Sequence, residues 1–113
     1  MITHLKQNLI PSSFPLETSP VILACMKKNP ESEKIVSMLE QFSEQMNGQV
    51  SVFIAYEDSW GMARNELNLE GTPLFIFYYQ GKEKCRFLGK IKSRYLQTAI
   101  KKILKNSKNQ EII

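Results

Sequence analysis

Gly71-Thr72-Pro73-Leu74-Phe75-Ile76-Phe77-Tyr78-Tyr79, continuing through Gln80-Gly81-Lys82-Glu83-Lys84-Cys85-Arg86-Phe87-Leu88 to Gly89, is the stretch that decides the fold. Gly71-Thr72-Pro73 interrupts whatever regular element precedes it. Leu74 to Tyr79 is an unbroken apolar and aromatic run, which reads as a buried strand. Gln80-Gly81-Lys82 reads as a tight turn, and Lys84 to Leu88 pairs back as a hairpin strand ending at Gly89. Beyond it, Ser93 is expected to cap a final helix with Leu96, Ala99 or Ile100, Ile103 and Leu104 on its inner face. From Asn106 the chain is polar and expected to fray.

Working back from the hairpin, Val50 to Tyr56 reads as another strand. Asp58 or Ser59 is expected to cap a short helix through Leu67, with Met62, Ala63 and Leu67 on its buried side; the pattern leaves Trp60 undecided. Upstream lies a longer helix. Asn29 suits its N-cap, Pro30 its first position, and Glu31 and Glu33 its first turn. Ile35, Met38, Leu39, Phe42 and Met46 form its apolar face, and Asn47-Gly48 ends it. Before it, Pro20-Val21-Ile22-Leu23-Ala24-Cys25-Met26 has the continuous apolar character of a strand buried on both faces. Ile2 to Leu5 suits a short first strand, and Pro11, Ser12, Ser13, Pro15 and Ser19 break up any regular pattern between it and Pro20. The order is β, α, β, α, β, β, α behind that optional strand. It predicts an α/β fold: a mixed four- to five-stranded sheet, parallel at first and closed by an antiparallel hairpin, with helices on both faces.

A chain of 113 residues fits one domain. We divide it into an N-terminal segment, 1–19, that belongs to the domain, the domain proper at 20–105, and a flexible tail at 106–113. No apolar run approaches the ~20 residues of a membrane span. Met1 to Ile10 lacks the pattern of a signal peptide, so a cytoplasmic protein with no membrane partner is expected. Cys25 and Cys85 are the only cysteines and His4 the only histidine. They cannot build a four-ligand structural zinc site without recruiting carboxylates, so neither metal nor cofactor is expected. Net charge is +4, with Lys90, Lys92, Arg94, Lys101, Lys102, Lys105 and Lys108 near the C-terminus. Lys101, Lys102 and Lys105 fall on the outer face of the last helix, where a solvated surface outweighs a nucleic-acid site.

The element order, with Gly71-Thr72-Pro73 ahead of the hairpin, resembles the thioredoxin superfamily from about Ile2 to Leu104. Pro20 to Met26 is similar to its central strand and Ile35 to Phe42 to its long second helix. Asp58, Ala63, Leu67 and Leu69 fall where the family has a strand-end acid and the apolar marks of its third helix. The resemblance implies a cis peptide before Pro73, a substrate groove beside it, and backbone pairing of an extended substrate with Thr72.

The resemblance also exposes a loss. The family's reaction uses Cys-x-x-Cys at the start of the long helix, one thiol activated there and the other resolving the mixed disulfide. Those positions here are Asn29-Pro30-Glu31-Ser32, in a loop one residue shorter. The family's buried acid is replaced by Ala24, and the lysine of the neighbouring strand by Ile54. Cys25, inside an apolar strand, should have a raised pKa and be inert. Cys85 should lie a strand away from it, too far for a disulfide.

A groove without thiols still implies binding. Lys27, Lys28, Asn29, Pro30, Glu31 and Ser32 would line one side, Thr72 and Pro73 a second, Gly89 and Lys90 a third. Lys27, Lys28, Lys90 and Lys92 give this rim an attraction for negative groups. The leading expectation is a redox-inactive, chaperone-like or assembly module that captures a protein or extended peptide. The alternatives are a thiol-disulfide oxidoreductase using Cys25 alone, and a basic anion- or nucleic-acid-binding domain. Apolar surface around Trp60 or Tyr78-Tyr79 leaves a homodimer open.

Overall fold

The computed structural model describes residues 2–5, 18–61 and 63–111, the side chains of 107–111 excepted. Pro11, Ser12, Ser13, Pro15 and Met62, to which the sequence reading gives roles, lie outside these residues. The elements are β1 (Ile2–Leu5), β2 (Val21–Met26), α1 (Pro30–Gln45), β3 (Ser51–Tyr56), a 3-10 turn (Glu57–Ser59), α2 (Ala63–Glu66), β4 (Leu74–Tyr79), β5 (Lys82–Leu88) and α3 (Ser93–Glu111).

All five strands form one sheet in the order β1-β3-β2-β4-β5. β3 runs parallel to both β1 and β2. β4 is antiparallel to β2, and β5 to β4. Every residue of β2 is buried, so the sheet has core on both sides of its middle strand. On one side Ile22, Ala24 and Met26 pack with Leu39 and Phe42 of α1 and with Leu96 and Ile100 of α3. On the other, Val21, Leu23 and Cys25 pack with Trp60, Ala63 and Leu69.

Four details depart from the expected pattern. Gln80 and Gly81 both have positive φ, at 57° and 77°, the geometry of a two-residue hairpin turn; β5 therefore starts at Lys82 rather than Lys84. The helix expected from Asp58 or Ser59 is split. Ser59 spends its hydroxyl on the Tyr56 carbonyl at 2.8 Å within the 3-10 turn. Gly61 then adopts φ 52°, so α2 is a single turn, closed by left-handed Asn68 and a bond from Leu69 N–H to the Arg64 carbonyl. Ser93 does not cap α3. It is the first helical residue, and its hydroxyl donates to Gln45 Oε1 at 3.0 Å, tying α3 to the end of α1. α3 itself continues past Asn106 to Glu111.

Phe42 is fully buried among residues of α1, α3 and the sheet. Phe42→Ala should lower stability by about 3–5 kcal/mol in urea unfolding. A loss under about 1 kcal/mol would show that α1 is not anchored through this side chain.

Candidate functional site

The site lies where β2 leaves the sheet and α1 begins. Met26 ends β2, Lys27 and Lys28 are exposed, and Asn29 stands in extended backbone (φ −151°, ψ 176°) as the N-cap. Its Oδ1 accepts the Ser32 backbone N–H at 3.1 Å, while Ser32 Oγ donates back to the Asn29 carbonyl at 2.6 Å. These are the first and last of the four positions that bear thiols in the resemblance. Here they satisfy each other as a reciprocal cap. Ser32 is 6% exposed, so its hydroxyl serves the helix start and does not face the groove. Pro30 is the first residue of α1.

Opposite the helix start, the Thr72–Pro73 peptide bond is cis. Gly89, at φ 99°, donates its N–H to the Pro73 carbonyl at 2.8 Å and holds this loop against the end of β5. Among the described residues nothing hydrogen-bonds the Thr72 backbone. Lys90 Nζ lies 2.9 Å from Glu31 Oε2, joining the loop after β5 to the first turn of α1. The hydrogen bond and charge of Lys90, with Lys34 behind them, hold the Glu31 carboxyl below its ordinary pKa.

Between these walls is a pocket of about 150 Å³. It brings together Lys27, Asn29, Glu31, Thr72, Pro73 and Lys90, all expected at the site. Met26 and Ile35 complete its lining. Lys28 is not part of it. Its ammonium sits 5.8 Å from the centroid of the Tyr56 ring, and His4 stacks on the same ring at 6.2 Å. Pro30, Ser32 and Gly89 shape the site without lining it. Leu88, 63% exposed, was not anticipated, although its place one residue before the closing Gly89 was a usable signal. It lies beside the loop, since a Cβ on Gly71 would meet Leu88 Cδ1 at 3.3 Å.

Neither thiol lines this pocket. Cys25 is fully buried on the α2 side of the sheet, and desolvation pushes its pKa up to about 12, with Arg86 opposing weakly. Cys85 packs against the core on the other side, and both thiols are free. β4 separates them: Cys25 is registered with Leu74, and Cys85 with Phe77. Ala24 and Ile54 are register partners, both fully buried under α1, so the place of the family's acid and lysine is an aliphatic contact here. Among the described residues no group of three or more His, Cys, Asp or Glu side chains could hold a metal. No helix among them is long and apolar enough to cross a membrane.

Arg86 is a structural residue that the sequence did not single out. It grips Glu83 through two nitrogens, at 2.8 and 2.6 Å, and donates to the Asn68 and Leu67 carbonyls at 2.9 and 3.0 Å. It thereby fastens the end of α2 to the hairpin.

No protein-family model matches this sequence, and no curated protein matches it. Solved structures do match the fold. Chloroplastic thioredoxin z, described as defining a novel type-specific target recognition, superposes with TM-score 0.75 at 18% identity, over 90% of this chain and 93% of that one. Oxidised thioredoxin O2 from Arabidopsis thaliana gives TM-score 0.72 at 16% identity, over 89% and 92%. Thioredoxin-2 of the malaria parasite gives 0.69 at 12%, over 77% and 85%. The chain has a thioredoxin-like fold, on a sequence without Cys-x-x-Cys.

The buried thiol has a pH signature. In the fold Cys25 keeps its proton up to about pH 12, whereas its ordinary value is 9.0. Below 9 both states hold the proton; above it the unfolded chain releases its proton first, so stability falls as pH rises towards 12. Tyr78, raised from 10.0 to about 12 chiefly by burial, acts in the same direction. Urea midpoints should decline through this window, and less steeply in Cys25→Ala; equal slopes would mean that Cys25 titrates normally.

Proposed function

We propose that this thioredoxin-like domain is a binding module, capturing an extended segment of a protein partner at Thr72 and Pro73 without thiol turnover. One observation carries the reading. An open proline loop faces a helix start whose two thiol positions are occupied by Asn29 and Ser32, hydrogen-bonded to each other.

The Thr72 backbone, without a hydrogen bond among the described residues, supports capture by strand addition, in which main-chain bonds provide affinity and neighbouring side chains provide selectivity. Leu88, exposed beside the loop, offers apolar contact to such a segment. A chaperone-like or assembly role is compatible with the fold. The malaria parasite's thioredoxin-2 is described as a component of protein secretion machinery. The single-thiol reading is disfavoured because Cys25 is fully buried and its thiolate is suppressed.

Protein immobilised in native cell extract should retain the same partners with and without reducing agent. Thr72→Pro, which removes the donor, and Pro73→Ala should each reduce retention by about tenfold or more while circular dichroism stays unchanged. Insulin reduction should not exceed the buffer rate. Retention unaffected by both substitutions, or partners lost only on reduction, would overturn the proposal.

A further inference from the structure

The pocket at Thr72 does not end there. It adjoins a depression of about 230 Å³, with which it shares Glu31, Ile35 and Lys90. That depression adjoins a third, of about 620 Å³, with which it shares Met38 and Ile91. The three form a trough with α1 as one wall and the loop from Lys90 to the start of α3 as the other. It reaches Gln45 and Arg94 at its far end.

The floor of the trough is apolar, made of the half-buried Ile35, Met38 and Ile91 with the buried Phe75 beneath them. Its rim is basic, with Lys27, Lys34, Lys90, Lys92 and Arg94. Among the described residues Glu31 is the one acid lining it, and Lys90 already engages that carboxylate at 2.9 Å. Among the described residues, Lys27, Lys34 and Lys92 have no carboxylate within ion-pair distance. Arg94 is held against the Tyr95 ring, 4.9 Å from its centroid, with no carboxylate within ion-pair distance among the described residues.

We propose that this trough binds an extended acidic segment of a protein partner, in which acidic and apolar side chains alternate. The proposal rests on the capture reading, because the segment enters at Thr72. Alternate side chains of an extended chain point to opposite sides, so one set can meet the aliphatic floor while the other reaches the basic rim. α1 has 16 residues and is about 24 Å long, which accommodates about seven extended residues. Single-stranded nucleic acid carries the same charge but binds through aromatic stacking platforms. The trough offers none: Phe75 is buried, and Tyr95 is not among the lining residues.

The test uses the full chain and a fluorescein-labelled octapeptide of alternating Leu and Glu. Its controls are the Leu/Gln twin and an eight-nucleotide oligothymidylate. The Glu peptide should bind about tenfold or more tightly than the Gln twin, and salt should erase the difference. The charge-reversed triple variant Lys34→Glu, Lys92→Glu, Arg94→Glu should lose that preference with its circular dichroism unchanged. Equal binding of both peptides, with both lost in Thr72→Pro, overturns the trough and leaves the capture reading standing. Glu-peptide binding that is sensitive to charge reversal but indifferent to Thr72→Pro supports the trough and removes strand pairing at Thr72. Absence of peptide binding overturns both, and tighter binding of the oligothymidylate overturns the assignment of a protein partner.

Discussion

The rest of the structure depends on β2 having no solvent face. All six of its residues are buried, so any polar side chain there would need an internal partner, and helices must cover the sheet on both sides. β2 is also the strand from which the site emerges: Met26 is its last residue and Asn29 already caps α1. The position of the helix start is therefore inherited from the packing of the sheet. Phe42 and Leu39 press α1 onto one face of β2, and the opposite face holds Trp60, whose indole N–H donates to the Ala55 carbonyl at 3.0 Å.

Within that frame the helix start serves stability. A thiolate at a helix N-terminus is favoured by the unpaired N–H groups there, which makes it both stable and reactive. An asparagine accepts a hydrogen bond from those groups and then has nothing left to react with. Ser32 closes the arrangement by returning its hydroxyl to the Asn29 carbonyl. Ala24 opposite Ile54 keeps the sheet beneath α1 aliphatic, where an unpartnered buried carboxylate would be costly.

The fold was legible because it is written in uninterrupted signals. The apolar runs Val21–Met26 and Leu74–Tyr79, the Asn29-Pro30 start and the Gln80-Gly81 turn each have one favoured reading. The α2 region was less so, since Asp58 and Ser59 suit a cap equally well and only the left-handed Gly61 shows where the helix cannot run. Ser93 reads as a cap because sequence spacing does not reveal that the helix starts a residue earlier, with the Lys92 carbonyl accepting from Tyr95 and Leu96, or that Gln45, 48 positions away, accepts from the Ser93 hydroxyl. Local pattern suffices to bring Thr72, Pro73 and Lys90 to one pocket, whereas the contact of the Lys28 ammonium with the Tyr56 ring, from the end of β3, has no local signal. The trough was not legible at all. Met38, Gln45 and Arg94 become neighbours only when α3 docks on α1.

The hairpin edge has a bearing on how copies of this protein share a crowded solution. β5 is an outer strand of the sheet, and an outer strand offers its spare backbone groups to any other strand. Its first three residues, Lys82, Glu83 and Lys84, are exposed and charged, so a second chain laid alongside would have to bring polar groups into unfavourable register. Arg86 is already committed to Glu83 and to the carbonyls of Leu67 and Asn68. These charges guard the β5 edge against fibre-like stacking.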